Sequence, residues 1–287
     1  MNHIDFRDLA KYSHIPDLLK DPTNIIRKRN RIDLLREFEN ETWKVYLDKF
    51  LASNFETYED FHSNIYSDST KKAFFDGNAF RISSPLQIQR ELQNSISGCV
   101  KPIVVKNDSV IELGAGYGAQ LVNLKKNLFD LNIHLTCAEL TNSGRQLSQV
   151  LSKKFNLGIE TINVDLEKPG SLESMKIKSA VVFTAFALMY VNINFEDTLR
   201  KLLSLGPKYV VFMEPLFEDF EENTTWGVNC REWMKINDYN CNLKSQIFRT
   251  VEDFPSFEII KHHSLVFGSN PFLPFSLLVI ANYDIQF

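Results

Sequence analysis

Two spacings of apolar residues divide this chain, and the change from one to the other comes near Lys106. Between Asp21 and about Asn54, Ile32, Leu35, Phe38, Trp43, Tyr46, Leu47 and Phe50 recur near the helical period among many charges, which predicts one or two amphipathic helices. From Phe55 to Arg81 aromatic residues crowd the chain, a density suited to closing over a ligand or docking onto the main core. Ser84-Pro85 then supplies an N-cap and a proline at the first helical position, and Ile88, Leu92 and Ile96 follow at four-residue intervals. Gly98 is expected to end that helix.

After Lys106, short apolar runs alternate with helical patterns, the signature of a parallel sheet covered on both faces. Strands are expected over Ser109–Leu113, His134–Glu139, Glu160–Val164, Ala180–Thr184 and Tyr209–Met213. Leu147, Leu151 and Phe155 line one intervening helix, and Phe195, Leu199, Leu202, Leu203 and Leu205 line another that stops at Gly206-Pro207. A helical stretch follows around Trp226 to Phe248. Two further runs, Phe257–Phe267 and Phe275–Tyr283, are too close for a crossover helix and must pair antiparallel. The expected architecture is α/β: a doubly wound, mostly parallel seven-stranded sheet with an N-terminal helical extension. Residues 1–82 form the extension or lid, and 83–287 the main domain.

Composition narrows the partners. With 287 residues and 44% hydrophobic content the chain can bury one large core. A net charge of −4 leaves no electrostatic footprint for nucleic acid. The cysteines at 99, 137, 230 and 241 form no metal-binding pair, and no apolar run approaches the length of a membrane span. A soluble, cytoplasmic protein without a metal is expected; the oligomeric state stays open.

The candidate chemistry begins at Val110-Ile-Glu-Leu-Gly-Ala-Gly-Tyr-Gly118. A strand running into Gly114, Gly116 and Gly118 brings bare backbone close to a ligand. The glycines alone suit a dinucleotide as well as other nucleosides, since Gly114, Gly116 and Ala119 satisfy the dinucleotide spacing too. Glu112, two residues before the first glycine, decides against a pyrophosphate, which it would repel, and for a ligand bearing an ammonium group. Glu139 ends the second strand 23 residues beyond Gly116, where an acid can accept ribose hydroxyls, and Asp165 ends the third, within reach of an adenine amino group.

Glu112-Leu-Gly-Ala-Gly-Tyr-Gly118, the acid at Glu139 and Val164-Asp165-Leu166 resemble motifs I to III of the class I S-adenosylmethionine (SAM)-dependent methyltransferases, over roughly residues 83 to 287. The resemblance implies a Rossmann-like fold. It also implies that Gly114, Gly116 and Gly118 wrap the methionine part of SAM, that Glu139 holds ribose, and that Asp165 and Leu166 frame adenine. Thr184-Ala-Phe186 would close the pocket, and Arg81 stands where related enzymes place a basic group for the SAM carboxylate.

The acceptor belongs at the carboxyl ends of the fourth and fifth strands, which points to Tyr190, Glu214 and Tyr239. Glu214 with Glu218, Asp219, Glu221 and Glu222 suggests a cationic acceptor, or else a solvated acidic turn; the polar run Asn237–Lys244 suits a polyhydroxylated one, or a local helix break. Where base-methylating enzymes carry Asn/Asp-Pro-Pro-aromatic, this chain reads Thr184-Ala-Phe-Ala-Leu-Met-Tyr190. The expectation is methyl transfer to N or O of a small molecule of natural-product, amino-acid or sugar type, with Glu214 or one of His262 and His263 as a base where one is needed. Two alternatives stay open: a methyltransferase-like cyclase that forms azetidine-2-carboxylate and methylthioadenosine from SAM, and a SAM-binding scaffold without catalysis.

Overall fold

The computed structural model describes residues 2–20 and 31–285. Residues 21–30, the start of the helical stretch read from the sequence, lie outside the described residues. The chain opens with β1 (Asn2–Ile4) and α1 (Ile15–Lys20). A continuous helical rod follows: α2 (Arg31–Arg36), a widened π-helical stretch over Glu37–Trp43, and α3 (Lys44–Ala52). Such π stretches inside α-helices concentrate at functional sites. The helix α4 (Tyr58–Ile65) starts on a reciprocal capping box between Thr57 and Asp60. β2 (Lys72–Phe75) and β3 (Phe80–Ser83) join β1 in a small antiparallel sheet of order β1-β3-β2, so β3 runs across residue 82.

The aromatic residues of this N-terminal part are mostly core. Phe55, Tyr58, Phe61 and Phe74 are buried in one cluster with Ile88, Leu92 and Ile96 of α5 (Pro85–Val100). Ser84 caps α5 as expected, but the helix runs through Gly98 to Val100. Gly98 lacks the positive φ of a C-cap glycine, and fully buried Val100 anchors one more turn before Pro102.

The main sheet has seven strands: β4 (Ser109–Leu113), β5 (His134–Glu139), β6 (Ile159–Asn163), β7 (Val181–Ala185), β8 (Tyr209–Glu214), β9 (Phe257–Phe267) and β10 (Phe275–Asn282). Their order is β6-β5-β4-β7-β8-β10-β9; the first five are parallel, and β10 lies antiparallel between β8 and β9. Every residue of β10 is buried, as an inner strand packed on both faces requires. Helices α6 (Ala119–Asn127) and α7 (Asn142–Phe155) cover one face together with α5 and α3. Helix α8 (Phe195–Ser204) covers the other, together with α10 (Leu243–Glu252). The helical stretch expected from Trp226 to Phe248 is thus two helices, α9 (Thr225–Ile236) and α10, broken at Asn237–Asn242. Strand order reverses at β4, and ligands of doubly wound sheets bind at such a switch point.

Candidate cofactor and acceptor site

The loop after β4 lies at this switch point. Gly114, Gly116 and Gly118 all take left-handed backbone, with φ of +68°, +55° and +79°. An added Cβ at Gly114 would stand 2.5 Å from the Cβ of Ala187, and one at Gly116 would stand 2.6 Å from the ring of Trp43. Gly118 sits deeper and starts α6. Above the loop opens a cavity of about 450 Å³, roofed by the Arg31–Ala52 rod.

Strand parity sorts the acids around it. Val110 on β4 and Leu135 and Cys137 on β5 face the core shared with the rod, so Glu112 and Glu139, in step with them, face the same side. Both line the cavity. Glu112 is 3% exposed and its Oε2 has no hydrogen-bond partner, so a buried acceptor stands ready for a donor from a ligand. Burial, reinforced by the neighbouring Glu139, raises its carboxyl well above the ordinary range. Glu139 accepts from the Gly116 N–H (2.9 Å) and from the N–H and hydroxyl of Thr141 (2.8 and 2.6 Å). These bonds pull its carboxyl down, but burial prevails and raises it. Three of about four acceptor directions are filled, which leaves one on Oε2. Asp165, past the end of β6, accepts from Arg31 (2.6 Å) and from the Glu167 N–H (3.1 Å). Leu166 lines the cavity beside it.

The same parity turns Thr184 and Glu214 away. Val182 on β7 and Val210 and Phe212 on β8 belong to the opposite core, so Thr184 and Glu214 point there, and neither lines the cavity. Glu214 is fully buried behind the turn after β7, where its Oε1 accepts from the Ala187 N–H (3.1 Å). It holds the wall rather than reaching into the site. Phe186 and Tyr190 on that turn do line the cavity, while Tyr239 packs edge-on behind Tyr190, at 5.3 Å. Arg81 lies on β3, paired with Asp76 and outside this cavity, so it is not the cation expected near the cofactor carboxylate.

Several of the polar groups expected to meet an acceptor are engaged within the protein. Asp219 pairs with Lys244 (2.7 Å) and His262 (2.8 Å), Glu218 accepts from the Ser245 N–H (3.0 Å), and Glu222 pairs with Arg231 (2.6 Å). In the break between α9 and α10, the Asn240 N–H donates to the Met189 carbonyl (2.8 Å) and its side-chain amide to the Val191 carbonyl (2.9 Å). That break braces the backbone on both sides of Tyr190. Sequence reasoning missed the roof: Arg31, Phe38 and Trp43 all line the cavity, as does Asn270 from the β9–β10 turn. Phe38 and Trp43 stood in the helical pattern, but periodicity alone does not tell a roof from a core.

Burial raises Glu214 to about 7, against the pull of the turn's N–H groups. Between its ordinary value of 4.5 and about 7, the folded state therefore holds a proton that the unfolded state releases. The stability this group contributes is complete below 4.5 and lost as pH rises to about 7. Glu214→Gln keeps an acceptor for Ala187, so urea unfolding at pH 5 and 7.5 should show the variant gaining on the wild type at the higher pH. Parallel pH dependences would contradict this.

No protein-family model and no curated protein sequence matches the chain. Solved structures do. Geranyl diphosphate C-methyltransferase from Streptomyces coelicolor A3(2), in complex with Mg2+, geranyl diphosphate and S-adenosylhomocysteine, superposes with a TM-score of 0.54 at 11% identity, over 88% of this chain and 97% of that one. The [4+2]-cyclase SpnF gives a TM-score of 0.51 at 11% identity, over 72% of this chain and 84% of its own. A geranyl diphosphate methyltransferase in complex with sinefungin gives 0.50 at 9% identity, over 70% and 81%. The seven-stranded sheet with its antiparallel β10, and these superpositions, identify the chain as having the Rossmann-like fold of the class I SAM-dependent methyltransferases.

Proposed function

We propose that this protein is a SAM-dependent methyltransferase that transfers a methyl group to nitrogen or oxygen of a small molecule. The observation that carries the reading is the convergence of Glu112, Glu139 and Asp165 with Gly114 and Gly116 on one cavity at the sheet's switch point. The residues fit the cofactor: the unpartnered Glu112 Oε2 suits its ammonium, the remaining direction on Glu139 a ribose hydroxyl, and Asp165 with Leu166 the adenine. SAM supplies an already activated methyl group, so the protein mainly orients the acceptor and excludes water.

Phe38, Phe186, Met189 and Tyr190 form an apolar and aromatic wall on the acceptor side. With Glu218, Asp219, Glu222 and Asn240 engaged in the protein, this wall favours an acceptor with an apolar body that presents one N or O. Glu214 holds the wall, and His262 is tied to Asp219, so neither serves as the base. An amine arriving neutral needs none. In this reading residues 1–82 act as the lid and residues 83–287 as the cofactor-binding body. Among the described residues no group of His, Cys, Asp and Glu is placed to hold a metal, and no helix is long and apolar enough to cross a membrane.

The test is incubation with SAM, alone and with a panel of amines, phenols and polyols, with products identified by mass spectrometry. S-adenosylhomocysteine whose formation depends on an acceptor, with a methylated product, is expected. Methylthioadenosine from SAM alone would replace methyl transfer by cyclisation. Tight SAM binding with no turnover across the panel would favour a silent scaffold.

A further inference from the structure

We propose that Arg31, carried by the lid rod, is a binding residue for the adenine end of the cofactor; this rests on the SAM reading above. Its Nη2 donates to Asp165 Oδ1 (2.6 Å) and its Nη1 to Glu167. The side chains of both acids are 11% exposed, whereas that of Arg31 is 37% exposed. Two of its five N–H donors are thus tied to anchored carboxylates, which fixes the plane of the guanidinium and leaves a flat face for stacking. Arg31, Leu140, Val164, Asp165 and Leu166 line one end of the cavity, so that face borders the slot where Asp165 and Leu166 frame the base. A planar, delocalised cation stacks on aromatic rings, which a lysine ammonium in the same place does not reproduce.

The rest of the rod supports this placement, because it touches the other two cofactor motifs as well. Glu39 accepts from the N–H groups of Asn142 (2.7 Å) and Ser143 (2.9 Å), at the start of α7 just after Glu139. Trp43 covers Gly116. The rod is therefore tied at all three motifs, and Arg31 is its tie at the adenine slot.

Calorimetric titration of S-adenosylhomocysteine and of 5′-methylthioadenosine into the wild type, Arg31→Ala and Arg31→Lys tests the assignment. The two probes share adenine and ribose, and only the first carries the amino-acid carboxylate. Arg31→Ala should weaken both by a similar factor, on the order of 10- to 30-fold, and Arg31→Lys should restore neither. A loss confined to S-adenosylhomocysteine would mean that Arg31 meets the carboxylate and would overturn the proposal, as would unchanged affinity for both. Should Arg31→Ala fail to fold, Arg31→Lys carries the test: weaker binding of both probes supports the assignment, and wild-type binding overturns it. A wild-type protein that binds neither probe would sink the SAM reading itself, and this inference with it.

Discussion

Alanine at Gly114 should abolish cofactor binding and lower stability by roughly 2–5 kcal/mol. Two effects add. Gly114 holds φ at +68°, where an L-residue costs about 1–2 kcal/mol. The new methyl group would also stand 2.5 Å from the Cβ of Ala187, which cannot swing aside because the Ala187 N–H is held by buried Glu214. Either the glycine loop or the turn bearing Phe186 and Tyr190 must shift, and both line the cavity. Gly158 provides the control: its φ is +67°, but a Cβ there meets nothing within 4 Å. Gly158→Ala should show only the backbone cost and keep full affinity for S-adenosylhomocysteine. Urea unfolding and titration of the two variants side by side check this; equal stability losses, or intact binding in Gly114→Ala, would contradict it.

Glu139→Ala should weaken S-adenosylhomocysteine by about 2–3 kcal/mol, roughly 30- to 150-fold. The substitution removes a charged acceptor for ribose and releases the Gly116 N–H, which the carboxylate holds at 2.9 Å and which shapes the loop. Glu139→Gln, which keeps one carbonyl acceptor, should lose less. Affinity in Glu139→Ala within threefold of the wild type would remove Glu139 from the site.

How much of this was legible in the sequence depends on which physical signal each residue carries. The change from helical to strand-and-helix patterning placed Ser109–Leu113 and His134–Glu139 to the residue, because buried parallel strands are short apolar runs between turn residues. That Glu112 and Glu139 stand beside the glycine loop was legible because their spacing from the glycines is a property of one loop and its neighbouring strand. Glu214 and Tyr239, expected beside the acceptor, do not line this cavity. A residue at a strand's carboxyl end emerges at the right edge of the sheet, but parity decides the face, and Glu214 is in step with Phe212 rather than with Met213. The run Val210–Met213 is apolar throughout, as a strand buried on both faces requires, so no alternation in the sequence shows which face Glu214 takes. Arg31 and Trp43 carried no signal of their place either. Their contacts with Asp165 and Gly116 span more than seventy residues of chain and follow from how the rod docks, which no local pattern encodes.

The claim on which everything else depends is that this cavity takes SAM and not a dinucleotide. Titration calorimetry of the wild-type protein with S-adenosylhomocysteine and, separately, with NAD tests it most directly. Saturable binding of S-adenosylhomocysteine at one site per chain, lost in Gly114→Ala, is expected, with no binding of NAD, whose pyrophosphate would face Glu112. Binding of NAD with no heat from S-adenosylhomocysteine would contradict it.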